Sequence, residues 1–124
     1  MLWFRQKIRV VAVLAGEHDR ELLSQIATQA NWSLQMPRTF RGAIQIVSQN
    51  PAAVIIGDQP DWRAALETLR INSPNSRIIL TASETDDKLW LEVLDRGGFD
   101  VVTRPFHPRR LLETIGRAWN EIRK

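Results

Sequence analysis

The chain has no cysteine, which excludes disulfides, thiolate metal sites and cysteine nucleophiles. It has two histidines, His18 and His107, too few for a histidine metal cluster. No apolar run approaches the roughly 20 residues that a membrane helix needs. Met1-Leu2-Trp3-Phe4 is too short for a signal-peptide core and is followed by Arg5 and Lys7, so a cytoplasmic location is expected. A Gly-rich phosphate loop and paired catalytic residues are also missing, which argues against a metabolic enzyme. What remains is ordinary for a globular domain: 44% hydrophobic and 25% charged residues in a chain of 124. That length suits one domain, residues 1–124, able to bury a core without staples.

The net charge is +3 and the pI about 10.2. Fourteen of the 17 basic residues are arginine, and Arg109-Arg110 is the only adjacent pair of arginines. Scattered cations read as a solvated basic surface rather than a nucleic-acid face, which clusters them. A basic nucleic-acid-binding protein is therefore the weaker alternative, and it predicts binding that falls steeply with salt.

Strand and helix patterns alternate five times. Residues 8–14 are apolar except for Arg9, as a buried parallel strand requires. Asp19 reads as the N-cap of a helix with Leu22, Leu23, Ile26, Ala27 and Ala30 on one face. Residues 32–36 alternate and read as a second, more exposed strand, broken by Pro37. Thr39 reads as the cap of a helix facing inward through Phe40, Ala43, Ile44 and Val47. Residues 52–56 form the third, central strand. Asp61 reads as a cap for Trp62, Ala65, Leu66 and Leu69. Residues 77–81 form the fourth strand. Ser83 opens a helix over residues 84–96, with Glu84 and Asp86 in its first turn. Pro108 opens the last helix, facing inward through Leu111, Leu112, Ile115, Ala118, Trp119 and Ile122. Five βα units predict an α/β, flavodoxin-like (βα)5 doubly wound parallel sheet, strand order 2-1-3-4-5.

The most informative run is Arg96-Gly97-Gly98-Phe99-Asp100-Val101-Val102-Thr103-Arg104-Pro105-Phe106. Two glycines end a helix, a β-branched strand follows, and a cation then stands at the strand's carboxyl end, where parallel sheets build their sites. This run resembles the last strand and Lys-Pro corner of response-regulator receiver domains, the phosphoacceptor modules of two-component signalling. The resemblance extends over about residues 7–123.

The resemblance implies a set of site residues, and the chain departs from it. Two acidic residues after the first strand, which hold Mg²⁺ in the family, would fall near Leu14 and Ala15, neither of which offers a carboxylate. Glu17 and Asp19 are the weak substitutes. The phosphoacceptor position after the third strand falls on Gly57, with Asp58 one residue late and so turned to the other face unless the loop swings it back. Thr81 falls at the phosphate-binding hydroxyl and Arg104 at the lysine. The family's aromatic switch position falls on Val101. The resemblance thus implies a degenerate receiver: a phosphorylation-independent interaction module with no enzymatic role and no cofactor. Arg104 is expected to pair with Asp58 or Asp100. The alternative is an active phosphoacceptor using Asp58, which would require Mg²⁺.

The expected partner is a signalling protein or a second copy of the chain. In receivers the surface made by the fourth helix, fifth strand and last helix commonly carries such contacts. Leu89, Trp90, Leu91, Val93 and Leu94 span too wide an arc for one buried helix face. Leu91 and Leu94 are expected in the core and Trp90 and Leu89 at the partner surface. Trp62 is expected to fill space beside the phosphate-like site, Trp32 and Trp119 to pack in the core or at its edge, and Trp3 either to cover the bottom edge of the sheet or to be disordered. His107 is expected to be exposed at the start of the last helix.

Overall fold

A computed structural model describes residues 7–124. The expectation for Trp3 lies outside the described residues. The elements are β1 (Arg9–Val13), α1 (Glu17–Ala30), β2 (Ser33–Gln35), α2 (Phe40–Val47), β3 (Ala53–Gly57), α3 (Trp62–Asn72), β4 (Arg77–Ala82), α4 (Asp87–Asp95), β5 (Asp100–Thr103) and α5 (Pro108–Ile122). All neighbouring strands pair in parallel, in the order β2-β1-β3-β4-β5.

The uninterrupted apolar strands follow from a sheet covered on both faces. Side chains alternate along each strand. Val10, Ala12, Ala53, Ile55 and Ile79 pack under α1 and α5 through Leu23, Ile26, Leu111 and Ile115. Val11, Val13, Val54, Ile56 and Leu80 pack on the opposite face, with Ala43 and Val47 of α2, Leu66 and Leu69 of α3, and Val93 of α4. Leu23, Ile55, Ile79 and Ile115 are fully buried. Each contributes about 1.5–3 kcal/mol relative to an exposed side chain.

Several expected boundaries shift for local reasons. Gly16, not Asp19, occupies the N-cap of α1, and Asp19 lies in the first turn. β2 keeps only three residues, of which Leu34 alone is half-buried. Thr39 caps α2 as expected, its hydroxyl accepting from the Gly42 N–H at 3.0 Å. Asp61 occupies the cap position of α3 without a side-chain hydrogen bond. α4 starts at Asp87, because Asp86 is its cap and accepts from the Leu89 N–H at 2.8 Å. After α4 the chain reverses through Gly97 at φ 88°, the left-handed region that favours glycine. Leu112 points outward from α5 rather than into the core, while Trp119 and Trp32 are buried. Among the described residues no helix is long and apolar enough to cross a membrane.

Candidate functional site

Parallel register brings the chemistry to the carboxyl end of the sheet. Gly57 pairs with Thr81 across β3 and β4, and Ala82 pairs with Thr103 across β4 and β5. Asp58 and Arg104 are the next residues after β3 and β5. The Arg104 N–H extends the β4–β5 ladder by donating to the Ala82 carbonyl at 2.8 Å, so its backbone is fixed before its side chain is placed. The Arg104–Pro105 peptide is cis.

The Arg104 guanidinium then collects the polar groups around it. Nη1 donates to the Thr81 carbonyl at 3.0 Å and to Thr81 Oγ1 at 3.1 Å. Nη2 donates to Asp58 Oδ1 at 2.9 Å. Nε lies 3.5 Å from Asp19 Oδ2. Thr81, fully buried, donates its own hydroxyl hydrogen to the Ile56 carbonyl at 3.3 Å. Each arm of the planar fork thus has a partner, which a lysine ammonium could not match in that geometry. The Arg104 side chain is 22% exposed and that of Asp58 37%. At that burial the attraction is less screened than between fully exposed charges.

The expected pairing of Arg104 with Asp58 is present. The expected alternative with Asp100 is not. Asp100 bonds Arg117 at 2.9 Å and accepts from the Val101 N–H at 2.8 Å. Glu17 also stays out of the cluster, because Arg38 holds it at 2.8 Å on an exposed flank. The Arg38 hydrogen bond keeps the Glu17 carboxyl below its usual range. Asp19 does join the cluster, its side chain free to do so because Gly16 rather than Asp19 caps α1.

A cleft of about 280 Å³ opens above these residues, bordered by Leu14, Gly16, Asp19, Asp58, Gln59 and Arg104. Gln59 Oε1 is buried there without a hydrogen-bond partner. Mg²⁺ demands nearly octahedral oxygen ligation with one or two carboxylates. Both carboxylates here are engaged by a guanidinium, Leu14 and Ala15 add none, and one orphan amide oxygen does not make up the set. Among the described residues no three His, Asp or Glu side chains converge on a metal position. The residues present do not fit Mg²⁺.

The aromatic expectations divide. Trp62, the first residue of α3, is buried in the core with Ala43, Val47 and Leu66 and does not line the cleft, and the Arg63 guanidinium lies 4.5 Å from its ring centre. Val101 is half-buried against the same core. Leu89, expected at a partner surface, turns inward and packs on that core, whereas Leu91, expected inside, is 52% exposed. Trp90 is exposed, at 44%. It borders a groove of about 430 Å³ between α4 and α5, floored by β5 and flanked by Asp86, Asp87, Arg110 and Arg117. His107 is exposed at the N-cap of α5, its Nδ1 3.5 Å from the Arg110 N–H.

Sequence reasoning missed Asp19 as a partner of Arg104, and it missed Gln59. The signal for Asp19 was Gly16, an alternative start for α1 that leaves an acid in its first turn.

Neither a protein-family model nor a curated protein sequence matches the chain. Solved structures do. The beryllofluoride-activated NtrC4 receiver domain dimer aligns with a TM-score of 0.80 at 23% identity, over 92% of this chain and 98% of that one. The signal receiver domain of an HD domain-containing protein from Pseudomonas fluorescens Pf-5 aligns with a TM-score of 0.83 at 19% identity, over 99% and 94%. The chemotaxis protein CheY4 of Vibrio cholerae aligns with a TM-score of 0.80 at 19% identity, over 91% and 99%. With the strand order and the five helices, these likenesses establish that the chain has the fold of response-regulator receiver domains.

Proposed function

We propose that this domain is a degenerate receiver that works as a phosphorylation-independent interaction module in two-component signalling, in the cytoplasm and without a cofactor. The observation that carries the reading is the Arg104 cluster. One guanidinium bonds Thr81 and Asp58 and lies beside Asp19. In this reading Arg104 takes the place of both the metal and the phosphoryl group as the local charge balance. Thr81 has its hydrogen on Ile56 and a lone pair on Arg104, so no free hydroxyl waits for a ligand. The domain is then held in one state, and its input is a partner.

The partner is a signalling protein or a second copy, engaged through the exposed Trp90 and the groove beside it. A partly exposed tryptophan over a groove with charges of both signs suits an anchored interface. The nucleic-acid reading is disfavoured by how the cations are used. Arg38, Arg63, Arg96, Arg104, Arg109, Arg117 and Lys124 all stand in ion pairs, so they do not form a bare basic face.

The test is incubation with Mg²⁺ and acetyl phosphate, read by intact mass, with Asp58→Asn as control. The expected result is no adduct. A phosphate adduct present in the native chain and lost in Asp58→Asn would replace this reading with that of an active phosphoacceptor.

A further inference from the structure

α4 is thinly anchored. Val93 is its one fully buried residue, and Trp90 and Leu91 point to solvent. A nine-residue helix with so little buried surface needs other constraints to hold its position. They come from α3. Arg63 and Arg70 are seven residues apart, so they share one face of that helix. Arg63 donates to both carboxylate oxygens of Glu92, through Nε at 2.5 Å and Nη2 at 2.9 Å. Arg96, one turn after Glu92, bonds the same carboxylate at 2.8 Å. Arg70 Nη1 donates to the Arg96 carbonyl at 3.0 Å, closing the end of α4. The Arg63 guanidinium also lies over Trp62, a buried residue of α3.

We propose that Glu92 is the hub of an electrostatic staple that fixes α4 on α3 as a unit separate from the Arg104 cluster. The helix bearing Trp90 can then be released while the carboxyl end of the sheet stays closed. The two groups of ion pairs share no residue. The staple joins α3 to α4, and the cluster joins the first turn of α1 to the ends of β3, β4 and β5. A carboxylate bound by two guanidiniums, one of them bidentate, is the arrangement in which a partly exposed ion pair holds position rather than merely screening charge.

Hydrogen exchange read by mass spectrometry on the whole chain tests this. Glu92→Gln is expected to speed exchange of the α4 amides roughly tenfold or more while leaving peptides containing Asp58 and Thr81 unchanged. Arg104→Gln is expected to do the reverse. Arg63→Gln should reproduce Glu92→Gln and keeps the test available if the Glu92 variant folds poorly. Unchanged exchange in α4 of both staple variants would overturn the proposal. So would loosening of both regions together in any of the three, because that describes one cooperative unit.

Discussion

The carboxyl end of the sheet and the α4 flank use arginine in opposite ways. At the sheet end, Arg104 reaches inward from a backbone already fixed by the β4–β5 ladder, and its partners are a buried threonine and two carboxylates. On the α4 flank, Arg63 and Arg70 reach across the surface from α3, Arg96 closes on Glu92 at the end of α4, and apolar side chains are left outside. The first arrangement satisfies a potential ligand site from within. The second positions an exposed tryptophan. On the proposed reading, the receiver fold keeps its architecture while its chemistry moves from a site to a surface.

The largest expected effect is at the sheet end. Arg104→Ala leaves Asp58 and Asp19 without their cation and removes two hydrogen bonds to Thr81. A loss of about 2 kcal/mol is expected, read as a shift in urea midpoint at unchanged slope. A loss close to zero would place this pair with ordinary surface ion pairs and erase the contrast with the flank.

Asp86→Ala comes next. It removes the cap that starts α4, at an expected cost of about 1 kcal/mol. Urea unfolding gives the magnitude, and the change in amide exchange should be confined to the first turn of α4.

Acid sharpens the difference between the regions. The Arg63 hydrogen bond, then that of Arg96, lowers the Glu92 carboxyl from the usual 4.5 to about 2. A depressed carboxylate stabilises the fold fully above its unfolded value and loses that contribution as pH falls through the folded value. The staple should therefore weaken between about pH 4.5 and pH 2. Exchange within α4, corrected for the intrinsic pH effect, should rise across that window in the native chain and stay flat in Glu92→Gln.

The smallest stability effect is expected for Trp90→Ala, within about 0.5 kcal/mol, because the side chain is largely outside the core. Thermal melts check this. If a second copy is the partner, sedimentation should show weaker self-association for the same variant.

The strands were legible because a sheet covered on both faces demands continuous apolar runs, and residues 52–56 and 78–80 supply them. Arg104 was legible for a related reason: Val101 to Thr103 and Pro105 leave it one place to stand. Asp19 was misjudged because an acid near a helix start suits a cap, and only the backbone shows that Gly16 takes that role. The face of α4 was misjudged because apolar residues at 89, 90, 91, 93 and 94 offer several helical rows of similar merit. The row through Leu89 and Val93 faces the core, and it is the row that also brings Glu92 to Arg63. The Arg63–Glu92 contact joins residues 29 apart in sequence, which local periodicity does not contain.

On the proposed reading, Arg104 already occupies the role of metal and phosphoryl group. The most direct measurement is a titration with Mg²⁺, then with Mg²⁺ and beryllofluoride, following the backbone amides of Asp58, Thr81 and Arg104 by NMR. The account predicts only small, unsaturable shifts matching those caused by equivalent ionic strength. Saturable shifts at those three amides would contradict it, because they would mean that the cluster opens to a ligand.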